Sequence, residues 1–300
     1  MRFNFQHLLR AVILAIFATF FIKLHYTGDI IKYINPKYNW MSLITAGLFI
    51  CLFLIQLCRV WESEEDNHAY CPPGCNHDEG GSSSFPKRLL GYVIIMLPLV
   101  TGFAFSPATL DASIAGKKGI NLSQYSGNED AMFMESSEPG AATENSQIIE
   151  HTIPLPNNNF ITDDIYDEAM ERLKAFDMIQ MSDHIYASYY RAINTEPDSF
   201  MNRKINIKGF VYKEEGFNPD ELVIARFVIT HCIADASVIG FLSEFDQAIN
   251  YEENTWIELE GTLDTKNYYG EEIPLIQVDT VKIIEEPVEP YIYPVMIKYD

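Results

Sequence analysis

WMSLITAGLFICLFLIQLC, Trp40 to Cys58, decides the architecture, because its nineteen residues carry no charge. A helix rises about 1.5 Å per residue and the hydrocarbon core of a bilayer is about 30 Å thick, so roughly 20 apolar residues span it. Two flanking runs extend the reading. Leu89 to Leu110 is 22 residues without a charge, and Leu8 to Ile22 is interrupted only by Arg10 and closed by Lys23. The first run is short, but Arg10 and Lys23 can snorkel to the interfaces. No small-x-small site follows Ile22, so it reads as an uncleaved anchor. Tyr26, Tyr33, Tyr38 and Trp40 form an interfacial aromatic belt. The expectation is three transmembrane helices, at about 8–24, 40–60 and 89–108, within a membrane domain of residues 1–110.

Outward from these runs the charge balance changes. The 300 residues carry 21 basic and 42 acidic side chains, but residues 1–107 hold 8 and 7 of them, and residues 108–300 hold 13 and 35. A region at −22 has no basic surplus to neutralise phosphates, which argues against nucleic acid as a partner. Lys/Arg counting sets Arg2, Arg10, Arg59, Lys87 and Arg88 against Lys23, Lys32, Lys37, Lys117 and Lys118. Discounting the last two, which lie further from a span, tips the positive-inside rule toward a cytoplasmic N-terminus and an extracytoplasmic tail.

Residues 111–159 are rich in Ser, Gly, Asn and Glu and read as a flexible linker. A soluble α+β domain is expected over 160–300. Thr162-Asp163-Asp164 offers an N-cap before Ile165, Ala169, Leu173 and Phe176, and a second helix carries Ile185, Tyr189 and Ile193. The period then changes to alternation. Ile205 to Tyr212, Leu222 to Ile229, Ser237 to Leu242, Trp256 to Leu263 and Ile273 to Ile284 read as five short strands separated by turn residues. Gly209 in the first and Gly261 in the fourth are where a strand can kink, so the fold class is a small five-stranded OB-like barrel, with a plain antiparallel sandwich as the alternative.

Two constellations could carry chemistry. His68, Cys71, Cys75 and His77 lie within ten residues of the second loop, bent by Pro72, Pro73 and Gly74. Zinc takes four N/S ligands, so this loop is a candidate site for zinc or another soft divalent metal. His231, Cys232 and Asp235 lie on a strand–strand connection and form a second candidate metal set, against a packed Cys232 with Asp235 bonding the turn. Adjacent strand residues face opposite ways, which disfavours a Cys–His hydrolase. Arg226, amid apolar residues, is expected to pair with Glu258 or Glu260 or to snorkel to the rim. No Gly-rich phosphate loop, nucleophile elbow or His-Glu-x-x-His motif appears, so no enzyme is expected.

Several stretches resemble the YcgQ-like family of bacterial membrane permease subunits: Leu24-His25-Tyr26-Thr27-Gly28-Asp29-Ile30, Tyr33-Ile34-Asn35-Pro36-Lys37-Tyr38, Gly209-Phe210-Val211-Tyr212, Ala225-Arg226-Phe227, Cys232-Ile233-Ala234-Asp235-Ala236 and Pro290-Tyr291. The resemblance implies membrane anchoring, an extracytoplasmic C-terminal domain and action beside a separate multi-span permease. It also implies a cysteine where His231 stands. The expectation is an accessory subunit in a bacterial cell membrane, with a metal ion as the cargo favoured by the acidity. The alternative is a stand-alone envelope binding or sensing module.

Overall fold

The structure is a computed structural model that describes residues 5–61, 85–105, 107–120, 159–214, 216–268 and 270–298. The chain divides into two units: Met1–Ile30 with Tyr38–Ala108, and Ile31–Lys37 with Thr109–Asp300.

The first unit is helical: α1 (Phe5–Thr27), α2 (Asn39–Cys58) and α3 (Phe85–Ala104). Stretches His7–Thr27 and Pro36–Trp61 are long and apolar enough to cross a membrane, whereas the apolar part of α3, Leu90–Ala104, is shorter. Pro98 sits inside α3, where it removes one backbone donor. The helices meet through aromatic rings, with Phe17 on Phe49 at 5.2 Å and Phe20 edge-on to Phe103 at 5.5 Å. Between α1 and α2, His25 Nε2 and Ser42 Oγ lie 2.6 Å apart.

The second unit is built on β3 (Lys204–Tyr212), β4 (Glu221–Val228), β5 (Ser237–Glu244), β6 (Trp256–Tyr268) and β7 (Glu271–Ile283). Strand β3 pairs antiparallel with both β6 and β4, β6 with β7, and β4 with β5, while β5 and β7 run parallel. Hydrogen-bonded neighbours therefore run β3-β6-β7-β5-β4 and back to β3. The five expected strands are present, the last two longer than the alternation indicated. The short strands β2 (Met178–Gln180) and β8 (Tyr291–Ile292) lie parallel to β3 and β4, and β1 (Phe160–Thr162) pairs with β9 (Met296–Lys298).

The two glycines expected to kink strands mark close approaches. A Cβ on Gly209 would stand 2.6 Å from the Ala225 carbonyl oxygen, and one on Gly261 2.5 Å from that of Gln277. Gly261 also sits at the register shift in the β6–β7 pair.

Strand β4 is buried along its whole length. Leu222, Ile224 and Val228 enter one core with Ile205, Ile207, Leu259 and Ile276. Val223, Ala225 and Phe227 enter a second with Phe210, Tyr212, Tyr291 and Tyr293. The helix α6 (Tyr186–Thr195) packs its tyrosines into the first core, Tyr190 standing edge-on to Phe241 at 5.1 Å. On α5 (Asp163–Ala175) the inward face is Tyr166, Ala169, Met170 and Leu173; the expected Ile165 and Phe176 are exposed. Thr162 makes no side-chain capping bond there.

Two segments depart from the expected boundaries. Residues 112–118, read as the start of a linker, form α4 (Ala112–Lys118), whose Ala112 and Ala115 are buried in the second core. Its small residues Ala112, Ala115 and Gly116 let a short helix approach the sheet closely. The loop Ile31–Lys37, between α1 and α2 in sequence, belongs to the domain unit. The rest of the expected linker, residues 121–158, lies outside the described residues.

Candidate functional site

His231, Cys232 and Asp235 lie on the connection between β4 and β5, where Ile233–Asp235 form a single 3-10 turn. The Asp235 carboxylate accepts from the His231 N–H at 2.9 Å, from the Cys232 N–H at 3.3 Å and stands 2.9 Å from His231 Nδ1. The Cys232 sulfur accepts in return from the turn backbone. Asp235 is thus the turn residue that the sequence allowed for. Among the described residues no three His, Cys, Asp or Glu side chains group to hold a metal ion. His68, Cys71, Cys75 and His77 lie outside the described residues.

What this connection does hold is the loop Ile31–Lys37. Ile34 forms an antiparallel bridge with Cys232. The Ile233 N–H donates to the Tyr33 carbonyl at 2.8 Å, and the Asn35 N–H to that of His231 at 2.9 Å. The Asn35 side chain is fully buried. Its Nδ2 donates to the carbonyls of Ile229 at 3.1 Å and Thr230 at 3.0 Å. Its Oδ1 accepts from the Lys37 N–H at 3.1 Å and from Asn159 Nδ2 at 3.3 Å. Each polar atom of the amide has partners, which is what allows so polar a group to be buried. Tyr293 Oη adds a bond to the Ile31 carbonyl at 2.7 Å.

One edge of β3 explains Arg226. Strand β6 takes the other edge over Lys204–Phe210, so β2 at Lys204–Asn206 and β4 at Phe210–Tyr212 share this one. Between them the Lys208 carbonyl would be unpaired, and Arg226 Nη1 donates to it at 3.4 Å. Arg226 Nε also donates to the Pro290 carbonyl at 3.2 Å. The expected pairing with Glu258 or Glu260 does not form. Glu258 faces Lys208 at 3.6 Å, Asn206 reaches both carboxylates, and Arg226 pairs with Asp183 at 2.8 Å. Nor does it snorkel, being fully buried. Sequence reasoning missed Asp183 because it lies on a loop 43 residues away.

A second ionic group is structural. Lys266 bridges Glu221 at 2.5 Å and Glu244 at 2.7 Å across the strand ends. Hydrogen bonds to these carboxylates push its ammonium up to about 12. Burial pushes the Glu221 carboxyl up, but the bonds from Lys266 and Asn218 outweigh it and leave it below its ordinary value.

Comparison with known proteins gives a consistent match along the chain. The DUF1980 N-terminal domain matches residues 9–121, and the DUF1980 C-terminal domain matches residues 158–294. The chain is 30% identical over 296 residues to the UPF0703 protein YcgQ of Bacillus subtilis, covering 95% of this chain and 98% of that protein. It is 24% identical over 292 residues to a Streptococcus mutans protein named "Putative two-component membrane permease complex subunit", covering 95% and 99%.

Proposed function

We propose a function from the premise that this chain belongs to the DUF1980 family: it is an accessory subunit of a membrane permease complex. The name of the Streptococcus mutans relative supports that role. The observation that carries it here is the loop Ile31–Lys37. The segment joining α1 to α2 is built into the domain by Asn35 rather than left as a solvated hairpin. The chain thus passes between helices and domain three times, after Ile30, after Lys37 and before Thr109. That suits a subunit that couples to a transporter better than a sensor on a long tether.

The same loop supports a three-span topology by parity. The chain leaves the domain at Lys37, runs through α2 and α3, and re-enters it at Thr109. A segment that starts and ends on one side must cross an even number of times, so α3 crosses as α2 does. A third crossing by α1 sets the N-terminus opposite the domain. The basic residues Arg2, Arg10, Arg59, Lys87 and Arg88 then share one side, which we assign to the cytoplasm. The domain is extracytoplasmic, and the circuit of β3 to β7 is read as the OB-type barrel, whose parallel β5–β7 pair supports that reading. A cation is the cargo in keeping with the acidity of residues 108–300.

Extraction in mild detergent, with the chain as bait, tests the role. A multi-span membrane protein is expected to co-purify at fixed stoichiometry, and Asn35→Ala to weaken that recovery. A chain that purifies alone under these conditions contradicts the accessory role and favours the stand-alone module.

A further inference from the structure

Arg226 is a cation with more donors than acceptors around it. Its side chain is fully buried, with the guanidinium carbon 5.2 Å from the ring centroid of Trp256 and 5.8 Å from that of Tyr186. Nε and Nη1 are used by Pro290, Lys208 and Asp183, but Nη2 is buried without a hydrogen-bond partner. The Tyr186 hydroxyl, also buried, has no partner either. Tyr186 is the first residue of α6, and the residue before it, Ile185, provides no side-chain cap. The uncapped, positive start of α6 thus carries the side chain that stands against the buried guanidinium. The one ion-pair partner of Arg226 among the described residues is Asp183, whose side chain is 54% exposed and bonds through a single oxygen.

We propose that the Arg226–Tyr186 corner at the start of α6 is a binding site for a small oxyanion, a carboxylate or phosphate group, for which Asp183 is a displaceable stand-in. The chemistry follows from the donors. A guanidinium offers two parallel N–H groups to one carboxylate or phosphate, and Asp183 fills only one arm of that fork. An oxyanion oxygen on Nη2 also accepts from Tyr186, and its charge offsets the arginine and the helix end together. A bound water would satisfy the idle donors but leave the half-exposed Asp183 as the sole counter-charge shown for the buried arginine among the described residues. Access follows from exposure: Asp183 is the only partially solvated member, so its rotation to solvent opens the fork. The site is independent of the permease role.

The test uses the full chain in mild detergent, titrated with inorganic phosphate or with acetate at constant ionic strength, with chloride as the blank. Saturable heat or a saturable rise in the unfolding midpoint is expected with at least one of the two anions, and the two titrations tell phosphate from carboxylate preference. Asp183→Asn removes the competing charge and is expected to tighten binding about tenfold. Arg226→Lys removes the fork and is expected to weaken it by about tenfold or more. Should that variant fail to fold, Tyr186→Phe removes a single neutral donor and is expected to weaken binding severalfold. No saturable signal with either anion, in both the parent chain and Asp183→Asn, overturns the proposal and leaves a hydrated structural arginine. So does binding that Tyr186→Phe and Asp183→Asn both leave unchanged.

Discussion

Residues 31–37 and residues 109–118 each follow an apolar helix and each fold into the same domain, but the first is held by one fully buried side-chain amide and the second by small apolar contacts with polar bonds from Tyr291, Asn254 and Lys118 at its ends. In the first, one fully buried amide serves the carbonyls of Ile229 and Thr230, 194 and 195 residues away. In the second, Ala112 and Ala115 share a core with Phe210, Tyr212 and Phe227, with Asp111 capping the helix and Lys118 Nζ donating to the Ala236 carbonyl at 2.5 Å. The difference bears on how each can fail. A polar latch is all or nothing, because removing it strands buried carbonyls. A packed alanine helix is graded, because each contact is weak and the helix end can fray.

The largest effect is expected from Asn35→Ala, which deletes the side chain and leaves acceptors on the β4–β5 connection unpaired. The domain should lose about 3 kcal/mol, seen as a lower unfolding midpoint and faster exchange of the backbone amides of Ile233 and of position 35. A loss below about 0.5 kcal/mol would erase the contrast between the two segments. Ala115→Leu comes next. Ala115 is fully buried in the second core, so the added atoms overpack that core and cost about 2 kcal/mol, measured by the same unfolding experiment. A neutral result would mean that α4 lifts away freely.

Asp111→Ala is the smallest, at about 1 kcal/mol for loss of a helix cap. Acid should repeat it. The Ser113 hydroxyl, and after it the backbone N–H groups of α4, hold the Asp111 carboxyl below its ordinary value. A carboxyl lowered on folding stabilises above its unfolded pKa, about 4, and loses that contribution as pH falls through the folded value. Exchange protection of α4 should thus drop below about pH 4 in the parent chain and be flat there in Asp111→Ala.

How far the fold could be read from the sequence follows the same division. Strict alternation in Trp256 to Leu263, and apolar runs such as Leu222 to Ile229, place all five strands, because burial on one or both faces leaves a period in the sequence. The glycines at 209 and 261 were legible because a missing side chain at a close approach is itself a signal. Asn35 was not legible as a structural residue. A side-chain amide bonded to distant carbonyls leaves no period, and a loop between two spans gives no reason to expect burial. Helix α4 was hidden by its length of seven residues; Asp111 as a cap before Ala112 was the available clue. For the candidate sites, the turn role of Asp235 was legible, whereas the pairing of Arg226 with Asp183 depended on β2 and β4 sharing one edge of β3, which no local pattern encodes.

The central claim is that the loop after α1 and the C-terminal domain fold together on one side of the membrane. The Ile34–Cys232 bridge allows a direct measurement, since partners in an antiparallel bridge have Cα atoms about 5 Å apart, within disulfide reach. Ile34→Cys, in intact cells treated with a mild oxidant, is predicted to form a disulfide with Cys232 that mass spectrometry identifies and that Cys232→Ser abolishes. Free thiols at both positions after oxidation, or labelling of the two from opposite faces of the membrane, would contradict it.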